Sequence, residues 1–224
     1  MDKRDALLDN DIVLKVCGFG VGDEVRQDLE RLGSVRALGA TRYVVRSRIA
    51  KSHDIVCKDE ALARTTTFLG RVSTLEPTDA EVALAADFET AALRGGLALD
   101  AGESLLLAAL VTRNARFLAT GDKRAIVAIE QLVAGRGLTQ AVAGRVVCLE
   151  QVMLTLLERI EGERLRQQVC RDPGVDRAMA ICFACRSISP AADTVRQGIA
   201  SYIAALREDA PNVLVASDDL SGVT

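Results

Sequence analysis

Residues 99–129, LDAGESLLLAALVTRNARFLATGDKRAIVAI, constrain the fold of this chain more than any other stretch. Leu105, Leu106, Ala109 and Leu110 recur at helical spacing between Gly102 and Asn114, so residues 99–114 read mostly as helix. Residues 116–120 are short, apolar at most positions and closed by Gly121, the pattern of a buried strand of a parallel sheet running into a turn. Asp122 then follows the carboxyl end of that strand, the side on which open α/β sheets bind ligands. Glu103, in the first turn of the preceding helix, can face the same crevice.

The rest of the chain repeats the strand and helix alternation. Ala6, Leu7 and Leu8 make a strand, Asp9-Asn10-Asp11 an acidic turn, and Ile12, Val13, Leu14 and Val16 a helix. Asp23 can cap a second helix, carrying Val25, Leu29 and Leu32 and stopping at Gly33. Residues 34–38 form a second strand, and residues 41–51 a helix with Arg42, Arg46 and Arg48 on its outer face. Residues 54–70 are helical again, and Glu76-Pro77-Thr78-Asp79 opens a helix that runs through Ala92 towards Gly95-Gly96. After the central stretch come a helix over 125–133 and a last strand over 144–149. Four strands separated by helices imply right-handed crossovers and a parallel sheet covered on both sides. From Glu150 only helical periodicity remains, broken at Asp172-Pro173-Gly174 and Ser189-Pro190, which predicts three helices. The expected organisation is an α/β domain over 1–149, a helical C-terminal extension over 150–210 and a mobile tail over 211–224.

No apolar run reaches the roughly 18–20 residues of a membrane span, and residues 1–11 are too charged for a signal peptide. The expectation is therefore a cytoplasmic protein with no membrane partner. Cys17, Cys57, Cys148, Cys170, Cys182 and Cys185 are scattered, which reads as buried thiols in a reducing compartment without disulfides. Cys182 and Cys185 form a C-x-x-C inside an apolar helical run, without a second pair, and read as core thiols. His53 and Cys57 are two ligands at most, too few for zinc, and His53 is assigned to the surface. The glycines at 18, 20 and 22 follow a helix, not a strand, so they do not make a dinucleotide loop. A net charge of −3 gives no global attraction to nucleic acid, and 3% aromatic residues make no base-stacking platform. Local basic residues remain: Arg42, Arg46, Arg48 and Lys51 on one helix, and Lys123 and Arg124 beside Asp122. They either neutralise phosphates near the crevice or form ordinary solvated helix faces.

Asp9 and Asp11 after the first strand, Glu103 at a helix start and Asp122 after the third strand all point to one sheet edge. Carboxylates that converge repel one another and raise each other's pKa, an arrangement that a divalent cation, Mg²⁺ or Mn²⁺, would neutralise. Each acid also has a plainer reading. Asp122 can cap the next helix, Glu103 can favour a helix N-terminus, Asp11 can be a solvated turn residue, and Asp100 is an N-cap.

The early LLDNDIVLK resembles the opening strand and turn of PIN-domain ribonucleases, and LDAGESLLLAAL followed by RFLATGD resembles that family's Gly-Glu helix start and later Thr-x-Asp. The resemblance covers residues 5–149. It implies a PIN-like three-layer α/β/α fold with a short parallel sheet. It also implies Asp9, Glu103 and Asp122 as metal-binding catalytic residues, with Asp11 as a further candidate ligand. The implied activity is metal-dependent hydrolysis of RNA, as in the toxin of a toxin-antitoxin pair. The family usually carries a Glu on the helix after the second strand, where this chain has Arg46, and Asp59 and Glu60 lie one helix later. An Arg46 paired with Asp9 or Glu103 would favour the alternative, a catalytically inactive PIN-like binding or regulatory module acting through its C-terminal helices; an Arg46 in solvent would favour the enzyme. In either case the apolar helices over 150–210 leave room for a protein partner or a homodimer.

Overall fold

The structure, a computed structural model, describes residues 4–187, 190–216 and 220. β1 (Asp5–Leu8), α1 (Asn10–Phe19), α2 (Gly22–Leu32), β2 (Ser34–Leu38), α3 (Thr41–Lys51) and α4 (Lys58–Leu69) follow one another along the chain. Then come β3 (Ser73–Leu75), α5 (Asp79–Gly95), α6 (Ala101–Thr112), β4 (Phe117–Thr120) and α7 (Lys123–Gly135). The remaining elements are α8 (Thr139–Val142), β5 (Val146–Cys148), α9 (Leu149–Leu157), α10 (Gly162–Arg171), α11 (Arg177–Cys182) and α12 (Ala192–Asp209).

The five strands form one all-parallel sheet in the order β3-β2-β1-β4-β5. Every residue of β4 and β5, and all of β1 after Asp5, is buried, because helices cover both faces and leave no polar side to alternate with. α1 to α4 pack on one another, and α5 packs on α6 and α7. The result is an α/β fold with a parallel sheet flanked by helices, the three-layer arrangement expected of a PIN-like protein. The chain leaves β1 to one side and reaches β4 on the other, so the carboxyl ends of these adjacent strands are the point where strand order reverses.

Local chemistry fixes the helix ends at that edge. Asp9 caps α1 by accepting the Asp11 amide, Asp100 and Glu103 form a reciprocal capping box on α6, and Asp122 caps α7 by accepting the Arg124 amide. The sequence reading missed β3, an edge strand in which only Leu75 is buried and Ser73 and Thr74 carry no apolar signal. It also missed the single turn of α8.

Two expectations for the C-terminal part are corrected. Four helices, not three, follow β5 among the described residues: the expected break at Asp172-Pro173-Gly174 separates α10 from α11, and a further break after Leu157 splits the first expected helix into α9 and α10; Ser189 of the second expected break lies outside the described residues. Residues 211–216 are also not a free tail. Leu214 bridges Val146 in parallel, and Val213, Leu214 and Val215 are buried beside β5. The Glu130 carboxylate on α7 accepts the amides of Asn212 and Val213, which draws this segment onto the domain. The rest of the expected tail, residues 217–219 and 221–224, lies outside the described residues. β5 runs straight into α9, and the hydrophobic core is continuous across residues 149 and 150. α10 packs on α1, and α12 on α9 and α7. Leu165, Val169 and Ile199, on the helices that suggested a second copy, are buried by this chain itself, while Ile181 on α11 stays exposed.

The thiol expectation is corrected as well: Cys170 and Cys185 form a disulfide that ties the end of α10 to the turn after α11. Cys17, Cys57, Cys148 and Cys182 remain thiols, three of them buried. Among the described residues no helix is long and apolar enough to cross a membrane.

Candidate functional site at the carboxyl edge of the sheet

The site begins where β1 ends. The Asp9 amide donates to Ala119 O at 3.0 Å, which ties the turn after β1 to β4. Asp9 Oδ2 accepts from the Asp11 amide and from Thr120 Oγ1, each at 3.1 Å, and Thr120 Oγ1 in turn accepts the Asp122 amide at 3.1 Å. The turns after β1 and β4 are therefore one hydrogen-bonded unit. Burial pushes the Asp9 carboxyl above its ordinary value, further than the Asp11 and Asn10 amides pull it down.

Glu103 reaches this edge from α6. Its Oε2 accepts the Asp100 amide at 2.8 Å, and the side chain is buried. Burial first, then the charges of Asp100, Asp9 and Asp122, push it up from 4.5 to about 8. Asp122 behaves in the opposite way. Burial would raise it, but the Arg124 guanidinium and the Arg124 and Ala125 amides outweigh that and hold it below its ordinary value. Asp9, Glu103 and Asp122 thus share one electrostatic field, and their protonation is divided by their surroundings.

Asp11 is brought to the same edge and is neutralised there. Lys15, one helical turn on, lies 2.6 Å from Asp11 Oδ2, and Arg48 on α3 lies 3.8 Å from Asp11 Oδ1. Burial would depress the Lys15 ammonium, but Asp11 and Asp176 outweigh it and hold it above its ordinary value. Neither Lys15 nor Asp176 is in the set of acids and bases the sequence singles out. Only Lys15, placed i+4 from Asp11 on a helix, leaves a local trace.

The expected basic residues fall in three different places. Arg46 is exposed and lines a groove between α3 and α4 with Arg42, Tyr43 and Leu62, away from the acids. Arg48, on the opposite flank of α3, is the arginine that reaches them, 3.6 Å from Asp100. Lys123 is committed to the protein itself: it pairs with the buried Glu150 at 2.7 Å and stands 4.3 Å over the Tyr202 ring. Arg124 is exposed, and its charge is spent on Asp122 at 3.1 Å. Glu60 pairs with Arg64 at 2.9 Å and with Arg171, so it does not complete the acidic set. His53 is exposed in the loop between α3 and α4, and Gly18 lies inside α1 against Val175.

Carboxylates suit a hard divalent cation by their chemistry. Their placement does not: among the described residues, no three His, Cys, Asp or Glu side chains stand together in a way that could hold a metal ion. Glu103 is turned back onto its own helix start and Asp122 onto Arg124, so Asp9 is not joined by two free partners. The capping roles weighed for Glu103, Asp122 and Asp100 are all realised. The chain finds no match among protein-family models, curated proteins or solved structures.

Proposed function

We propose that this chain is a PIN-like hydrolase that cleaves RNA phosphodiester bonds at the carboxyl edge of β1 and β4, a nuclease of the kind used as a toxin. The observation that carries this reading is the convergence of Asp9, Glu103 and Asp122 at the point where strand order reverses, with Glu103 raised by burial and Asp122 held down by Arg124. Near neutral pH Glu103 keeps its proton and can give it to a leaving oxygen, while ionised Asp122 can take one from water. Two acids whose surroundings separate their pKa values are how a site performs acid and base chemistry together. Arg46 faces away from the acids, which also favours the enzyme. Mg²⁺ or Mn²⁺, implied by the resemblance, would be held by Asp9, Glu103 and Asp122; because these side chains do not fit an ion as folded, no step is routed through one.

A second reading, an inactive PIN-like module working through its C-terminal helices, is favoured by one observation: Lys15 and Arg48 already neutralise Asp11. One experiment separates the two. Wild type and Glu103→Gln are incubated with a mixed single-stranded RNA pool, with Mn²⁺ and again with chelator. Gln serves the capping box as Glu does, so the variant should fold. Cleavage that falls by about 100-fold or more in Glu103→Gln supports the enzyme. Cleavage absent from both, or equal in both, overturns it and leaves the module.

A further inference from the structure

The Lys15 ammonium has three N–H groups and three acceptors: Asp11 Oδ2 at 2.6 Å, Gly121 O at 2.8 Å and Asp176 Oδ2 at 2.9 Å. They come from three separate places, α1, the turn after β4, and the N-cap of α11. The side chain is only 14% exposed. Two carboxylates and a carbonyl are an oxygen-only set of the sort that takes a hard cation, and here the chain fills it with its own ammonium. The closeness depends on Gly121, since a Cβ there would stand 2.6 Å from Asp11 Oδ2 and 2.9 Å from Lys15 Cδ. Asp11 and Asp176 are half-buried, and removing this ammonium would leave Asp11 with Arg48, 3.8 Å away, and take the ion pair from Asp176.

We infer that Lys15 is the resident cation of the acidic edge: it stands in the place of a divalent ion at Asp11 and, through Asp176, fastens the C-terminal helices to the crevice. The extension is then part of the edge's electrostatics. This goes beyond the nuclease reading and stands whether or not RNA is cut, because its tests read the lysine and not cleavage.

The first test is amine acylation of the native protein followed by peptide mass spectrometry. Lys15 should label about tenfold or more slowly than the exposed Lys51, and Asp176→Asn, which keeps the α11 cap but loses the charge, should speed it. The second is calorimetric titration of Mn²⁺ into wild type and Lys15→Met. Lys15→Met should bind one Mn²⁺ more than wild type, whatever the other acids bind. Labelling of Lys15 as fast as Lys51, or equal Mn²⁺ stoichiometry in wild type and Lys15→Met, overturns the inference. If Lys15→Met fails to fold, the labelling of wild type and Asp176→Asn decides.

Discussion

Asp100 and Glu103 hold each other at the start of α6: the Asp100 amide donates to Glu103 Oε2 at 2.8 Å, and the Glu103 amide donates to Asp100 Oδ1 at 2.9 Å. Burial, with the charges of Asp100, Asp9 and Asp122, raises the Glu103 carboxyl from 4.5 to about 8, against the Asp100 amide that pulls it down. A group that binds its proton more tightly folded than unfolded contributes stability that is whole below the unfolded value and lost as pH rises to the folded one. Stability should therefore fall between pH 4.5 and 8, by on the order of 2 kcal/mol, or roughly 4–8 °C in Tm. Glu103→Gln, which keeps the box, should flatten this slope in thermal melts across that range.

Glu81 and Arg113 behave in the opposite way. Arg113 donates through Nε and Nη2 to the two Glu81 oxygens, both at 2.6 Å, and Thr112 adds a third bond at 2.9 Å. The guanidinium bonds hold the carboxyl at about 2, well below 4.5, against a burial that would raise it. This contribution is present above pH 4.5 and is lost as pH falls towards 2. Arg113→Ala leaves a buried carboxylate without its partner and should cost about 3–5 kcal/mol in urea unfolding at neutral pH.

Glu130 anchors the segment after α12. Its carboxylate accepts from the Asn212 amide at 3.0 Å, Asn212 Nδ2 at 2.6 Å and the Val213 amide at 3.0 Å. Glu130→Ala should cost about 2–3 kcal/mol, and amide hydrogen exchange should rise over residues 212–215 while β1 and β4 stay protected. Unchanged exchange there would mean that the burial of Val213 and Leu214 alone holds the segment.

The Cys170–Cys185 disulfide closes a loop with a sequence separation of 15. A non-reducing digest should yield the linked peptide. Replacing both residues by Ser should lower stability by about 3 kcal/mol, the chain-entropy value for a loop of this size. Burial pushes the Cys182 thiol up to about 11, so it should resist alkylation at pH 8 in the native protein and react on unfolding.

How much of this was legible depended on whether the signal was local. The strands at Asp5–Leu8, Phe117–Thr120 and Val146–Cys148 announce themselves as continuous apolar runs because both faces of the sheet are covered. The caps at Asp100 and Asp122 are likewise readable, since capping is a matter of two or three consecutive residues, whereas Asp9, read as a turn acid, turned out to cap α1. Handed crossovers imply a parallel sheet but leave strand order open, and the pairing of β1 with both β2 and β4 is a tertiary fact. The edge strand Ser73–Leu75 did not show, because one buried residue makes no period. Partnerships across the fold were invisible for a different reason. A lysine or an arginine in a helix presents the same local pattern whether its charge ends in solvent, as Arg46 does, on a buried Glu150, as Lys123 does, or between Asp11 and Asp176, as Lys15 does. Sequence alone thus determined the parallel α/β class, four of the five strands and the acids that follow β1 and β4, through propensity and burial pattern. Only the tertiary structure decided which cations meet those acids, because ion pairing depends on distances between elements far apart in the chain.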